Sequence, residues 1–252
     1  MRTGIGYSNN KDSLSSGREV AEKALRKGSI QRSDIVFAFC SGTVNHEKFF
    51  HGLQEIVGSD VPIIGGSALG IITNHEISYK GYPAGAAVIQ LDKLRCRIAV
   101  ADDLDKGEYR AGTNIAGQLS PEPDDRLLTI FYDSIKKPST ETTTPILNAS
   151  SPIIEGIEEK LQSNVPVIGA GLVGDYTFNT TKQFCGSSVR SQSVVGLMVS
   201  GEFEPYCRIM HGCTPLDGVY RTITKIEGSV IYEVDNKPVV EIIDGIYENQ
   251  NW

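Results

Sequence analysis

The residue best placed for covalent chemistry is Ser67, in the run Gly65-Gly66-Ser67-Ala68-Leu69-Gly70 that follows the apolar Val61-Pro62-Ile63-Ile64. A serine on a tight turn after a buried strand is the layout of the G-x-S-x-G nucleophile elbow, but Leu69 stands where the second glycine belongs. An acyl-transfer reading needs a histidine or lysine base beside Ser67, and none adjoins it in sequence. His46 and His51 are five positions apart, so a helix would carry them on different sides rather than pair them at i, i+4. With His75 and His211 they form no zinc spacing with cysteine or carboxylate. No G-x-x-x-x-G-K-[ST] loop is present to cradle phosphate.

The Ser67 stretch occurs twice. Its second copy is Val165-Pro166-Val167-Ile168-Gly169-Ala170-Gly171-Leu172-Val173-Gly174. Gly171 takes the place of Ser67, so the hydroxyl is not repeated. In both copies a β-branched run passes into small residues, which lets a ligand approach the backbone closely. The same glycines also suit plain turns between packed strands. Ser8 and Asn9 close the first apolar run, Asp175 follows the second glycine loop, and Arg208 lies in Cys207-Arg208-Ile209. Asp175 and Arg208 could hold the amine and carboxylate of an amino acid.

The elements that position these residues follow from periodicity. Ile5 to Ser8 predicts a strand. Ser16-Gly17-Arg18-Glu19 has the form of a capping box and predicts a helix start, with Gly28 as its stop. Asp34 to Cys40 predicts a strand covered on both sides. Phe49, Phe50, Leu53, Ile56 and Val57 put a helix over residues 45 to 57. Ile71 to Tyr79, Ala84 to Leu91 and Arg95 to Val100 predict further strands. The order then restarts: Arg97–Ala101, Tyr109–Leu119, Arg126–Tyr132 and a helix from Ser151-Pro152 follow the first set. Gly52-Leu53-Gln54-Glu55 answers Gly156-Ile157-Glu158-Glu159 at the offset that relates Val61-Pro62 to Val165-Pro166. Cys96-Arg97-Ile98 answers Cys207-Arg208-Ile209 at a longer offset, which places inserted residues near 180–190.

These patterns predict a mixed α/β protein of two tandem related αβ units, about 1–95 and 97–207, with helices packed on mixed β-sheets. Residues 1–213 form the main domain. Residues 214–252 add a hairpin and a helix and are expected to lead to a missing C-terminal half. With 24 basic against 31 acidic residues the net charge is -7, which argues against nucleic acid or an anionic membrane as partner. No stretch reaches the roughly 20 apolar residues needed to span a bilayer. Five cysteines without a C-x-x-C pair fit reduced thiols in the cytoplasm.

Several segments in this order resemble FIST domains: Gly4-Ile5-Gly6-Tyr7-Ser8, Asp34 to Phe39, and Pro62-Ile63-Ile64-Gly65-Gly66-Ser67 with Gly70. So do Gly212-Cys213 with Pro215, then Thr224, and Ile231-Tyr232-Glu233-Val234-Asp235 with Pro238. The resemblance covers nearly the whole chain. It implies a cytoplasmic sensory module in signal transduction that binds a small ligand such as an amino acid, is not an enzyme, and signals to a partner such as a kinase or cyclase. No catalytic motif transfers from the family, so the expected ligand-binding residues rest on the loops: Ser8, Asn9, Gly65, Gly66, Ser67, Gly169, Gly171, Asp175, Arg208 and His211. Some relatives bind haem and respond to nitric oxide, and His211 with Cys213 nearby would be the candidate iron ligand here. A hydrolase using Ser67 and a protein–protein adaptor remain the other readings.

Overall fold

The computed structural model describes residues 1–162, 164–209, 212–214, 218–227 and 230–247. Two compact units divide between Tyr206 and Cys207, seven residues before the expected boundary at 213.

The first unit opens with β1 (Arg2–Ser8), α1 (Ser13–Gly28), β2 (Ile35–Ser41), α2 (His46–Val57) and β3 (Ile63–Ala68). A short hairpin, β4 (Ile71–Ile72) and β5 (Ile77–Ser78), leads to β6 (Ala84–Gln90). The second half repeats this course with β7 (Arg95–Ala101), α3 (Glu108–Leu119) and β8 (Asp125–Asp133). A small hairpin, β9 (Ile135–Lys137) and β10 (Ile146–Leu147), precedes α4 (Ser150–Leu161) and β11 (Val167–Leu172). A second hairpin, β12 (Gln183–Gly186) and β13 (Ser188–Arg190), leads to β14 (Val194–Ser200).

The first half pairs in the order β1-β6-β2-β3 and the second in the order β7-β14-β8-β11. Matched strands pair in matched senses: β2 with β3 and β8 with β11 are parallel, and the remaining pairs are antiparallel. The parallel pairs are joined through α2 and α4, as a crossover requires. The hairpins differ. In the second half, β12 leaves its own sheet and pairs antiparallel with β3, making a six-stranded sheet, β1-β6-β2-β3-β12-β13. In the first half, among the described residues, β4 and β5 pair only with each other.

Alternation along β2 explains the layering. Val36, Ala38 and Cys40 join one core with Val20, Ala24, Phe49 and Leu53 of α1 and α2. Ile35 and Phe37 point the other way, into a second core with Val195, Leu197 and Phe131 of the four-stranded sheet. A third core joins that sheet to Ile115, Leu119, Ile153 and Ile157 of α3 and α4. The result is helix, sheet, sheet, helix: a mixed α/β fold with helices packed on mixed sheets.

Several local expectations change. Helix α1 begins one turn before Ser16, because the Asp12 carboxylate accepts the Ser15 N–H at 2.7 Å and caps it. Glu19, the supposed box partner, instead takes the Ser8 hydroxyl and the Lys23 ammonium. Ile71–Tyr79 is the β4–β5 hairpin, since Thr73 folds back on itself through the Thr73 N–H to Glu76 carbonyl bond at 2.8 Å. Cys207-Arg208-Ile209 is not a strand, so its match to Cys96-Arg97-Ile98 in β7 is not structural; β7 corresponds to β1.

The second unit, Cys207–Trp252, holds β15 (Ile223–Glu227), β16 (Val230–Val234) and β17 (Lys237–Pro238) in an antiparallel sheet, followed by α5 (Val239–Ile246). Among the described residues no helix is long and apolar enough to cross a membrane.

Candidate functional site

The four-stranded sheet is two strands narrower than the six-stranded sheet it faces. Over β1, β6 and the end of β2 the inner face is therefore roofed by the β4–β5 hairpin, and a cavity of about 250 Å³ remains. Phe37 and Phe39 wall it on β2, and Ile5 on the edge strand β1. Gly85 and the small Ala87 of β6 leave the floor low, while Ala86 turns its methyl to the helix-side core, and Ile71 closes the floor from the hairpin. Phe39 is held in place edge-on against Phe131, with ring centroids 5.2 Å apart. Ile5 and Thr73 also line a neighbouring groove of about 120 Å³ whose other walls are Tyr7, Lys23, Arg26, Lys27 and Glu76. Lys23 is engaged by Glu19 and by the Tyr7 carbonyl. Arg26, Lys27 and Glu76 are exposed. An apolar chamber thus opens beside charges of both signs, an arrangement that suits a small amphipathic molecule.

The two glycine loops do meet, and the junction they form is filled. Ser67 is 2 % exposed. Its hydroxyl lies 2.9 Å from His46 Nε2 and accepts the Lys182 N–H at 2.9 Å, while its own N–H donates to the Lys182 carbonyl. The buried imidazole and the serine hydroxyl thus share one hydrogen bond. Gly42 donates to the Gly174 carbonyl at 2.8 Å. Gly174 packs so closely that a Cβ there would sit 3.2 Å from Ser67 Cβ. Gly66, at φ 141°, leaves room for the Lys182 carbonyl, 2.1 Å from where its Cβ would be.

Burial lowers the His46 pKa from 6.5 to about 4, with Glu47 pulling weakly the other way. The unfolded chain takes up a proton near pH 6.5 and the native state only near 4. The resulting stabilisation is complete above about pH 6.5 and fades as the pH falls toward 4, by about 3 kcal/mol in all. Urea unfolding at pH 7 and pH 4.5 should show this loss in the wild type and a distinctly smaller one in His46→Gln. Equal losses would refute the assignment.

The other expected ligand residues are placed as follows. Ser8 is buried and gives its hydroxyl to Glu19. Asn9 ties the end of β1 to the 80–82 turn through the Lys80 carbonyl and the Tyr82 N–H. Gly65 lies in β3 against the Ala38 carbonyl, and Gly169 in β11 against the Ile130 carbonyl. Gly171 abuts Ser134 and Tyr132. The Asp175 carboxylate is taken up by its own loop, through Thr177 and Asn179. Partial burial opposes its ionisation, but those hydrogen bonds outweigh it and the pKa falls below the usual value. Arg208 is exposed in the second unit. His211 lies outside the described residues. Of the expected set, Ser67 meets Gly174 of the second loop and Gly66 meets Lys182, and among the described residues none of the set lines the cavity.

Sequence reasoning missed His46 as the partner of Ser67. A signal existed: β2 and β3 are parallel neighbours, so the start of α2, just after β2, must lie at the end of β3 that carries Ser67. The cavity had a weaker signal in Gly85-Ala86-Ala87, small residues in a strand whose neighbours are large.

The fold and cavity define a four-layer α/β module with a small, largely apolar chamber at the rim of its wider sheet. A match to the FIST N domain covers residues 34–237, and the chain belongs to that family, whose members are in general sensory domains of signal transduction. An uncharacterized protein of Methanocaldococcus jannaschii is 22% identical over 246 residues, covering 92% of this chain and 44% of its own length. The chain thus spans less than half of that relative.

Proposed function

We propose that this domain is a cytoplasmic, non-catalytic sensor that takes a small amphipathic molecule, such as an amino acid with an apolar side chain, into the chamber roofed by β4 and β5. The observation that carries the reading is the shared wall at Ile5 and Thr73, which joins an apolar chamber to a groove bearing Arg26, Lys27 and Glu76. An apolar side chain would face Phe37 and Phe39, a carboxylate the two basic groups, and an ammonium Glu76. The buried, unpaired thiols of Cys40 and Cys185 support a reducing compartment. The output would pass to a signalling partner such as a kinase or cyclase. Haem is the poorer fit to this chamber, because among the described residues no histidine, cysteine, methionine or tyrosine lines it.

The hydrolase reading is favoured by one observation, the Ser67–His46 hydrogen bond. Against it, Ser67 is closed to substrate by Gly174 and Lys182. Ser67 is better read as structural: its bonds to Lys182 tie the halves, and His46, from its own half, holds its hydroxyl.

A thermal-shift screen of the free amino acids tests the sensor. A cognate ligand at about a hundredfold over its Kd should raise Tm by about 5–10 °C. Ala87→Leu, which fills the floor, should abolish the shift while the unliganded Tm stays near that of the wild type. A shift untouched by that substitution, or no shift across the screen, would overturn the proposal.

A further inference from the structure

The two sheets end in four edge strands: β1, β13, β7 and β11. Three are guarded. Lys23 caps the Tyr7 carbonyl of β1 at 3.0 Å. The Gln118 amide satisfies both the N–H and the carbonyl of Val100 on β7. Strand β13 is three residues long and carries Arg190. Strand β11 has none of these devices. It runs Val167-Ile168-Gly169-Ala170-Gly171-Leu172, without charge, proline or bulge, in unbroken register with β8.

Its ladder fixes which groups are free. The Leu128 N–H donates to the Pro166 carbonyl and the Ser134 N–H to the Leu172 carbonyl. In a parallel pair the even-numbered residues therefore face β8, and Val167, Gly169 and Gly171 turn their N–H and C=O outward. On β3 the matched residues are Ile63, Gly65 and Ser67, and that edge is filled by β12, with the Ser67 N–H donating to the Lys182 carbonyl at 2.9 Å. Among the described residues the same slot is filled in one half and open in the other. Gly169 and Ala170 are exposed.

We propose that β11 is a self-association edge, pairing antiparallel with β11 of a second copy of this chain about a two-fold axis. The strand is complementary to itself in size. With Gly169 opposite Gly169 of the other copy, Val167 meets Gly171 and Ile168 meets Ala170, so each larger side chain faces a small one. No charge meets its like.

Sedimentation equilibrium across low to high micromolar concentration should give a dimer. Two substitutions should give monomers with unchanged far-UV circular dichroism. Ala170→Lys puts a cation on an exposed edge position, and Val167→Pro removes an outward N–H without touching the β8 ladder. In the wild type at high concentration the amides of Val167, Gly169 and Gly171 should be protected from hydrogen exchange. A wild-type monomer throughout, a dimer that survives both substitutions, or unprotected amides at those three positions would overturn the proposal. A wild-type monomer whose edge is protected only on addition of a different protein would assign the edge to that protein and overturn self-association equally.

Discussion

Asp133→Ala is expected to leave the protein insoluble or to lower its Tm by about 10–20 °C, the largest loss from any single side chain considered. Asp133 is fully buried at the end of β8. One carboxylate oxygen accepts the Ile135 N–H at 3.0 Å and the Thr181 hydroxyl at 2.7 Å; the other accepts the N–H of Gln192 at 3.1 Å and its side-chain amide at 3.2 Å. Alanine strands four donors at once. Each unsatisfied buried group costs about 1–3 kcal/mol, so the total is about 4–6 kcal/mol even if water reaches some of them. That approaches the lower end of whole-domain stabilities, about 5–15 kcal/mol. For a domain of this size each kcal/mol is worth about 2–4 °C. Asp133→Asn keeps one acceptor but turns an amide toward existing donors, and should fall between. Differential scanning fluorimetry decides, and an alanine variant within about 2 °C of wild type would contradict the account.

Phe184→Ala should cost about 3–5 kcal/mol, as deletion of a fully buried aromatic ring does. Phe184 belongs to β12, from the second half, yet its ring lies in the core beneath α2. Its centroid is 5.3 Å from Phe50, 6.1 Å from Phe49 and 6.0 Å from the His46 ring. The loss should therefore appear in the first half: weakened near-UV aromatic signal and faster amide exchange in α2, with α3 and α4 less affected. Urea unfolding gives the energy and hydrogen exchange gives the place. A loss under about 1 kcal/mol, or one confined to α3 and α4, would contradict it.

Much of the alternating order was legible because it is local. The Phe49, Phe50, Leu53 stripe of α2 and the continuous apolar run of β2 each carry their own period, and Asn45 marks the helix start. What was not legible depends on partners far away in the chain. The glycines of the two loops were read as room for a ligand; Gly66 and Gly174 instead give room to Lys182 and Ser67, that is, to the chain itself. Nothing near Ser67 announces His46, and nothing near β3 announces β12. The chamber was hidden for a related reason, since it is made by a difference in width between two sheets. Residues such as Phe37 and Phe39 look like ordinary core in a strand whose opposite layer is unknown. The start of α1 was a local misreading: the Ser16-to-Glu19 pattern has the form of a capping box, but the Asp12 carboxylate takes the Ser15 N–H and caps the helix a turn earlier.

The pairing of β12 with β3 also constrains how the chain is made. The Ser67 hydroxyl and the Lys182 N–H that joins it are 115 residues apart. At about 5–20 residues per second on the ribosome, β3 emerges many seconds before the strand that covers its outer edge. During that interval β1, β6, β2 and β3 can assemble beneath α1 and α2, but the pocket for Phe184 stands empty and the Ser67 N–H faces water. Contacts so distant in sequence are slow to form even in the released chain. Two halves alike in strand order are therefore unlike in history: the first waits, unfinished, for the second to complete it.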